Sequence, residues 1–142
     1  MTAFWDSSAI VPLCCAQVAT VQTRRLLKQL DGIVAWWGTP VEVRSAFARL
    51  AREGELDELQ RTGAIASLDQ LHRLWDEILA TEAVRAFALA LPDDYALRAG
   101  DAWQLAAALV WCRERPRGRS FVCWDKRLAK AAAEVGFTVH PE

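Results

Sequence analysis

The sequence predicts one α/β domain: a parallel sheet with helices on both faces. Three observations predict it. Apolar runs of strand length alternate with longer segments of helical periodicity. The strand-length runs are continuously apolar rather than alternating, as strands buried on both faces require. The 142 residues contain no internal repeat, no low-complexity stretch and no linker long enough to divide them, so residues 1–142 read as a single domain.

The first apolar run, Ala3-Phe4-Trp5, stops at Asp6 and gives way to Ser7-Ser8, a strand ending in a polar turn and a helix start. Residues 9–30 are helical in pattern with a break near 14–17. Val18, Val21, Leu26, Leu27 and Leu30 keep one face, and Asp31-Gly32 is expected to close the helix with a left-handed glycine. A second strand is expected over 33–37. Thr39, Pro40 and Glu42 then spell a capping box with proline at the first helical position, and the helix runs to Gly54. Residues 55–80 read as one or two helices jointed at Gly63, with a weakly signalled strand between 70 and 80. Thr81 caps a helix expected to end at Leu91, before Pro92. Residues 99–112 form a strongly apolar helix whose small residues permit close packing on a sheet. Residues 113–119 form a loop, 121–124 a strand, 125–136 a helix closed by Gly136, and 137–139 a last short strand.

Composition excludes several classes. Lys plus Arg number 17 against 18 Asp plus Glu, a net charge of -1, so no global basic excess draws the chain to a polyanion. Cys14, Cys15, Cys112 and Cys123 form no C-x-x-C pair, and with only His72 and His140 a zinc site is poorly supplied; buried, reduced thiols are expected. The apolar stretch 9–19 follows Asp6 and has no basic leader, and no apolar run approaches the ~18 residues of a membrane span. A cytoplasmic protein is expected. Phosphate loops of the G-x-G-x-x-G or Walker type and a G-x-S-x-G elbow are absent.

In open parallel sheets, ligands bind beyond the carboxyl ends of the strands, where strand order reverses. That rule selects four of the eighteen acids. Asp6 follows the first strand, Asp125 follows the 121–124 strand, and Glu42 and Asp101 lie in the first turns of their helices. Two like charges about 4 Å apart cost on the order of 4 kcal/mol at an effective dielectric near 20. Such a cluster takes up protons or holds a cation, and oxygen ligands without His or Cys select Mg²⁺ or Mn²⁺. The chemistry this suggests is metal-assisted phosphodiester hydrolysis.

Each acid also has a plainer explanation. Asp6 and Asp125 suit helix caps, and Glu42 completes the capping box. What caps do not require is the same sheet edge four times. Asp101 interrupts Ala99-Gly100-Asp101-Ala102-Trp103, where an unpaired charge is expensive. Ser7 and Ser8 could bond a metal ligand or a phosphate, or cap the first helix. Arg44, Arg49 and Arg98 are placed for phosphate contacts, whereas Arg113, Arg115, Arg117 and Arg119 precede a strand and should face the opposite edge. Of the seven tryptophans most are expected in the core, with Trp36, Trp37, Trp103 and Trp111 also suited to an oligomer interface.

Four segments, F-W-D-S-S-A-I-V, P-V-E-V-R-S-A-F, L-R-A-G-D-A-W-Q-L-A-A-A-L and F-V-C-W-D-K-R-L-A-K-A-A-A-E-V-G-F-T-V, together resemble PIN-domain ribonucleases, and among them the toxins of VapBC-type toxin–antitoxin pairs. The resemblance runs in order over the whole chain, and residues 55–95 contribute least. It implies a three-layer domain with strand order 3-2-1-4-5 and a Mg²⁺- or Mn²⁺-dependent endoribonuclease. Asp6, Glu42, Asp101 and Asp125 match the family's acidic quartet and Ser8 its frequent hydroxyl. It further implies an RNA substrate, a homodimer and a small antitoxin protein partner. Cys123 stands where Ser or Thr is common, Gln104 where His is frequent, and Trp5 and Trp124 are bulky neighbours of quartet acids.

Two other classes compete. A non-catalytic module of this fold would use the acidic edge only to dock a protein, and a housekeeping nuclease would lack an antitoxin. A receiver-like signalling domain wants an adjacent acidic pair after the first strand, which Asp6-Ser7 does not supply.

Overall fold

The apolar run after Met1 forms β1 (Thr2–Trp5), and in the computed structural model, which describes residues 1–142, it lies at the centre of the sheet. The chain continues through α1 (Ser7–Cys14) and α2 (Thr20–Gln29) to β2 (Gly32–Trp36), then α3 (Thr39–Arg52), α4 (Glu58–Leu74) and β3 (Asp76–Ile78). The second half adds α5 (Glu82–Tyr95), α6 (Ala99–Trp111), β4 (Ser120–Val122), α7 (Lys126–Val135) and β5 (Thr138–His140). All five strands are parallel, in the order β3-β2-β1-β4-β5. The expected order is therefore observed, and the order reverses between β1 and β4.

Alternation along β1 divides the core. Phe4 packs with Val34, Phe121 and the apolar sides of α5, α6 and α7; Ala3 and Trp5 pack with Ile33, Ala35, Val122 and α1 to α4. Phe4, Phe47, Phe121, Leu105 and Leu128 are essentially inaccessible, and each such side chain contributes about 1.5–3 kcal/mol by leaving water. The small residues Ala102, Ala106, Ala107 and Ala108 are buried in α6, as their size anticipated. No helix is long and apolar enough to cross a membrane. All four cysteines are unpaired, and Cys14, Cys112 and Cys123 are buried.

Several boundaries differ from expectation for physical reasons. Gly32 does not end a helix: α2 is capped at Leu30, and Gly32 starts β2 opposite Thr2, whose methyl would lie 3.1 Å from an added Cβ. Thr39 is the first residue of α3, not its cap; Gly38 holds that position, no side-chain cap bond forms, and Thr39 is buried. The capping box is instead at Asp57 and Gln60, ahead of α4. That helix runs through Gly63 without a joint, tolerating the ~1 kcal/mol helix penalty of glycine. Likewise α5 continues through Pro92 to Tyr95, because it packs closely against α6, with Ala88 and Leu91 before the proline and Tyr95 after it joining the same core. The weakly signalled strand is β3, at the sheet edge beside β2.

Candidate active site

Parallel strands end together, so the residues following β1, β2 and β4 meet at one edge. Asp6 follows β1 and caps α1, accepting the Ser8 backbone N–H at 3.3 Å. Its Oδ1 accepts the Ser7 hydroxyl at 3.2 Å and its Oδ2 the Ser8 hydroxyl. The Cys123 thiol stands 3.3 Å from both Asp6 Oδ2 and the Asp125 carbonyl, so one S–H is shared between the two strand ends. The Ser8 oxygen in turn accepts the Trp124 N–H at 2.9 Å. Ser8 is thereby tied to Asp6 on one side and to the Trp124 backbone on the other.

Asp125 follows β4 and caps α7 through Leu128 N–H at 2.9 Å, and it is exposed. Glu42, in the first turn of α3, meets α6 across the edge: Gln104 Nε2 donates to Glu42 Oε1 at 2.8 Å and to Thr39 Oγ1 at 3.0 Å. Gly100 permits this approach, since a Cβ there would lie 3.3 Å from Glu42 Oε2. Glu42, Asp101 and Asp125 line an open cleft of about 670 Å³ together with Ser8, Arg49 and Arg98. It continues past Asp101 and Asp125 into a second hollow of about 450 Å³ bordered by Lys126 and Arg127. Asp6 is the exception: only 3% exposed, it lies behind Ser7 and Ser8 rather than on the cleft wall. Arg44 is exposed on α3 and is not among the lining residues. The 113–119 loop precedes β4 and lies at the opposite, amino edge, where the Arg119 guanidinium covers the Trp111 ring at 4.4 Å.

The electrostatics follow from burial without a counter-cation. Burial raises the Asp6 carboxyl above its ordinary value, and the bonds from Ser8 and Cys123 offset part of the rise. Glu42 is pushed up to about 7, first by burial and then by the negative charges of Asp6 and Asp101, against the Gln104 bond. Asp101 is raised to about 6 by burial and by Asp125 and Asp6, while Arg98 and Arg127 pull it down. Burial and the nearby Asp6 also push the Cys123 thiol upward, which keeps it a hydrogen-bond donor.

By donor type the cleft suits a hard divalent cation, since carboxylates dominate and the only thiol is protonated. No group of three or more Asp, Glu, His or Cys side chains is arranged to hold a metal ion by itself. Mg²⁺ does not demand one, because it is commonly held by one or two carboxylates with water completing its shell. Glu42, Asp101 and Asp125 line the same cleft, and a cation bound there would favour charged carboxylates.

Two participants were not assigned these partners from the sequence. Arg127 borders the cleft two residues beyond Asp125, and the K-R pair after a strand-end Asp was its only signal. Gln104 reaches Glu42 across 62 positions of sequence. Of the tryptophans, Trp5, Trp36 and Trp75 are buried and Trp37 is exposed, while Trp36 stacks on Trp103 at 5.3 Å.

No protein-family model matches the chain. The ribonucleases VapC45 and VapC49 of two Mycobacterium tuberculosis strains are each 28% identical to it over 138 residues, covering 97% of this chain and 94% of theirs. A structure described as a toxin-antitoxin complex from Klebsiella pneumoniae superposes with a TM-score of 0.59 at 15% identity, covering 90% of this chain and 91% of that one. Pyrobaculum aerophilum PAE2754 superposes with a TM-score of 0.62 at 18% identity, over 92% and 79% respectively. At such identities the structures speak for the fold, and the two ribonucleases for the sequence. The resemblance to VapC-type PIN-domain ribonucleases is borne out, and it extends along nearly the whole chain and into its five-stranded parallel sheet.

Proposed function

We propose that this chain is the toxin of a toxin–antitoxin pair: a Mg²⁺- or Mn²⁺-dependent endoribonuclease, working in the cytoplasm as a homodimer and restrained by a small antitoxin protein. The observation that carries the proposal is a cleft at the strand-order reversal into which Glu42, Asp101 and Asp125 open, with Asp6 behind them; burial raises Asp6, Glu42 and Asp101, and neighbouring acids add to the rise of Glu42 and Asp101. The ribonuclease relatives support the reaction class, and the Klebsiella structure, a toxin-antitoxin complex, suggests the partner.

Glu42, Asp101 and Asp125 would hold the cation from the cleft wall, with Asp6 adding negative charge from behind. The chemistry such a cation would supply there is polarisation of a phosphoryl oxygen and a lowered pKa for an attacking water. Glu42 Oε1 is occupied by Gln104, which leaves Oε2 as the oxygen that would face the cation. Arg98 and Arg49 line the cleft and supply charge for phosphate oxygens; Ser8 supports Asp6.

The test is cleavage of a mixed RNA substrate with Mg²⁺ or Mn²⁺ by wild type, Asp101→Asn and Asp6→Asn. Strong cleavage by wild type and at least about a hundredfold loss in both variants is expected. Equal cleavage by all three proteins would overturn the proposal.

A further inference from the structure

Gln104 is the one amide side chain in the molecule that is wholly buried, at 0% exposure. It sits one turn beyond Asp101 on α6, surrounded by Leu105, Ala106, Ala107 and Ala108, where an aliphatic residue would be the ordinary occupant. Its nitrogen donates twice, to Thr39 Oγ1 at 3.0 Å and to Glu42 Oε1 at 2.8 Å. Its own oxygen is buried and has no hydrogen-bond partner. The amide's orientation follows from its partner: a carboxylate only accepts, so the nitrogen faces Glu42. Thr39 takes the second N–H and fixes the amide plane, and both Thr39 and Gln104 are buried.

We infer that Gln104 is a positioning residue: its carboxamide, steered by Thr39, holds Glu42 Oε1 so that Oε2 is presented to the cleft. The inference rests on the proposed metal site, toward which Oε2 would be directed. It also explains the burial of Thr39, which the sequence offered as a helix cap and the structure uses as the outer anchor of this relay. A purely structural Gln104 would matter to folding and not to cation affinity. A positioning Gln104 does the reverse.

The experiment compares Mn²⁺ affinity, by calorimetric titration of the metal-free protein, with metal-free melting temperature. Wild type, Gln104→Met, Gln104→His and Thr39→Val are measured. Gln104→Met is expected to weaken Mn²⁺ binding by about tenfold to a hundredfold, with a melting temperature equal to or above wild type. Gln104→His, which retains a ring N–H donor, should recover part of the affinity. Thr39→Val, isosteric and remote from the cation, should weaken it by a smaller factor. It carries the test if Gln104→Met does not fold. Unchanged affinity in Gln104→Met, or in Thr39→Val where Gln104→Met does not fold, overturns the positioning role while leaving the proposed metal site intact. A wild type that binds no Mn²⁺ overturns both.

Discussion

Asp6 and Asp125 end neighbouring strands and cap the helices that follow, yet they meet opposite surroundings. Asp6 is 3% exposed, and every partner of its carboxylate is neutral: two serine hydroxyls, a backbone N–H and a thiol. Asp125 is exposed, with Lys126 and Arg127 beside it at the rim of the same cleft. Glu42 and Asp101 repeat the contrast. Glu42 is held by a carboxamide, whereas Asp101 has Arg98 and Arg127 nearby to offset its repulsion from Asp125 and Asp6. The inner half of the cleft is thus built from donors that orient a carboxylate without neutralising it. Neutral donors stabilise a charge while leaving the site's net charge negative, which is the condition under which a divalent cation is bound most strongly. The outer half supplies the positive charge that a phosphate backbone would need.

Asymmetric variants should sharpen that contrast most. Asp6→Asn retains the cap and removes the buried charge, so we expect RNA cleavage to fall at least about a hundredfold while the metal-free melting temperature rises. Asp125→Asn should lose activity comparably, with no rise in melting temperature, because its charge is already solvated. A lowered melting temperature in Asp6→Asn would break the distinction between the two halves.

The next effect is on pH dependence. Glu42 near 7 and Asp101 near 6 both lie above the ordinary values of 4.5 and 3.8. The folded state therefore binds more protons than the unfolded chain across that interval, and stability falls as pH rises through it. Thermal unfolding of the metal-free protein should give a melting temperature that declines from pH 5 to pH 8. Millimolar Mn²⁺ should flatten the decline, since a ligand bound to the native state stabilises it most where the acids are ionised. A metal-free melting temperature that climbs over the same range would show that the inner acids are compensated after all.

The smallest effect belongs to the rim. Arg127→Ala removes one of two cations near Asp101, so steady-state cleavage should show a few-fold higher KM for RNA with kcat nearly unchanged. A large fall in kcat instead would place Arg127 at the reacting atoms and erase the division of labour between wall and rim.

Much of this was legible in the chain itself. Continuous apolar runs marked the strands, and the polar residue directly after each of two strands, Asp6 and Asp125, marked the edge at which the acids collect. Local pattern misled where tertiary packing outweighed it. T-P-V-E spells a capping box, but Thr39 is drawn inward to Gln104, and Gly38 takes the cap position. Pro92 ought to stop a helix, but the packing of α5 against α6 carries it past the proline to Tyr95.

The sequence by itself determined the α/β class and singled out four candidate acids, because periodicity and strand-end position are local properties that chain direction converts into a shared edge; the strand order followed from the family resemblance. Only the tertiary structure decided how those acids differ: which lies behind the cleft wall, which is exposed, and which distant side chains hold Glu42 and Asp6. Burial and hydrogen bonding between residues 62 or 117 positions apart, as for Gln104 with Glu42 and Cys123 with Asp6, have no counterpart in spacing along the chain. They arise when the sheet brings strand ends together, and they set the charge that the site presents.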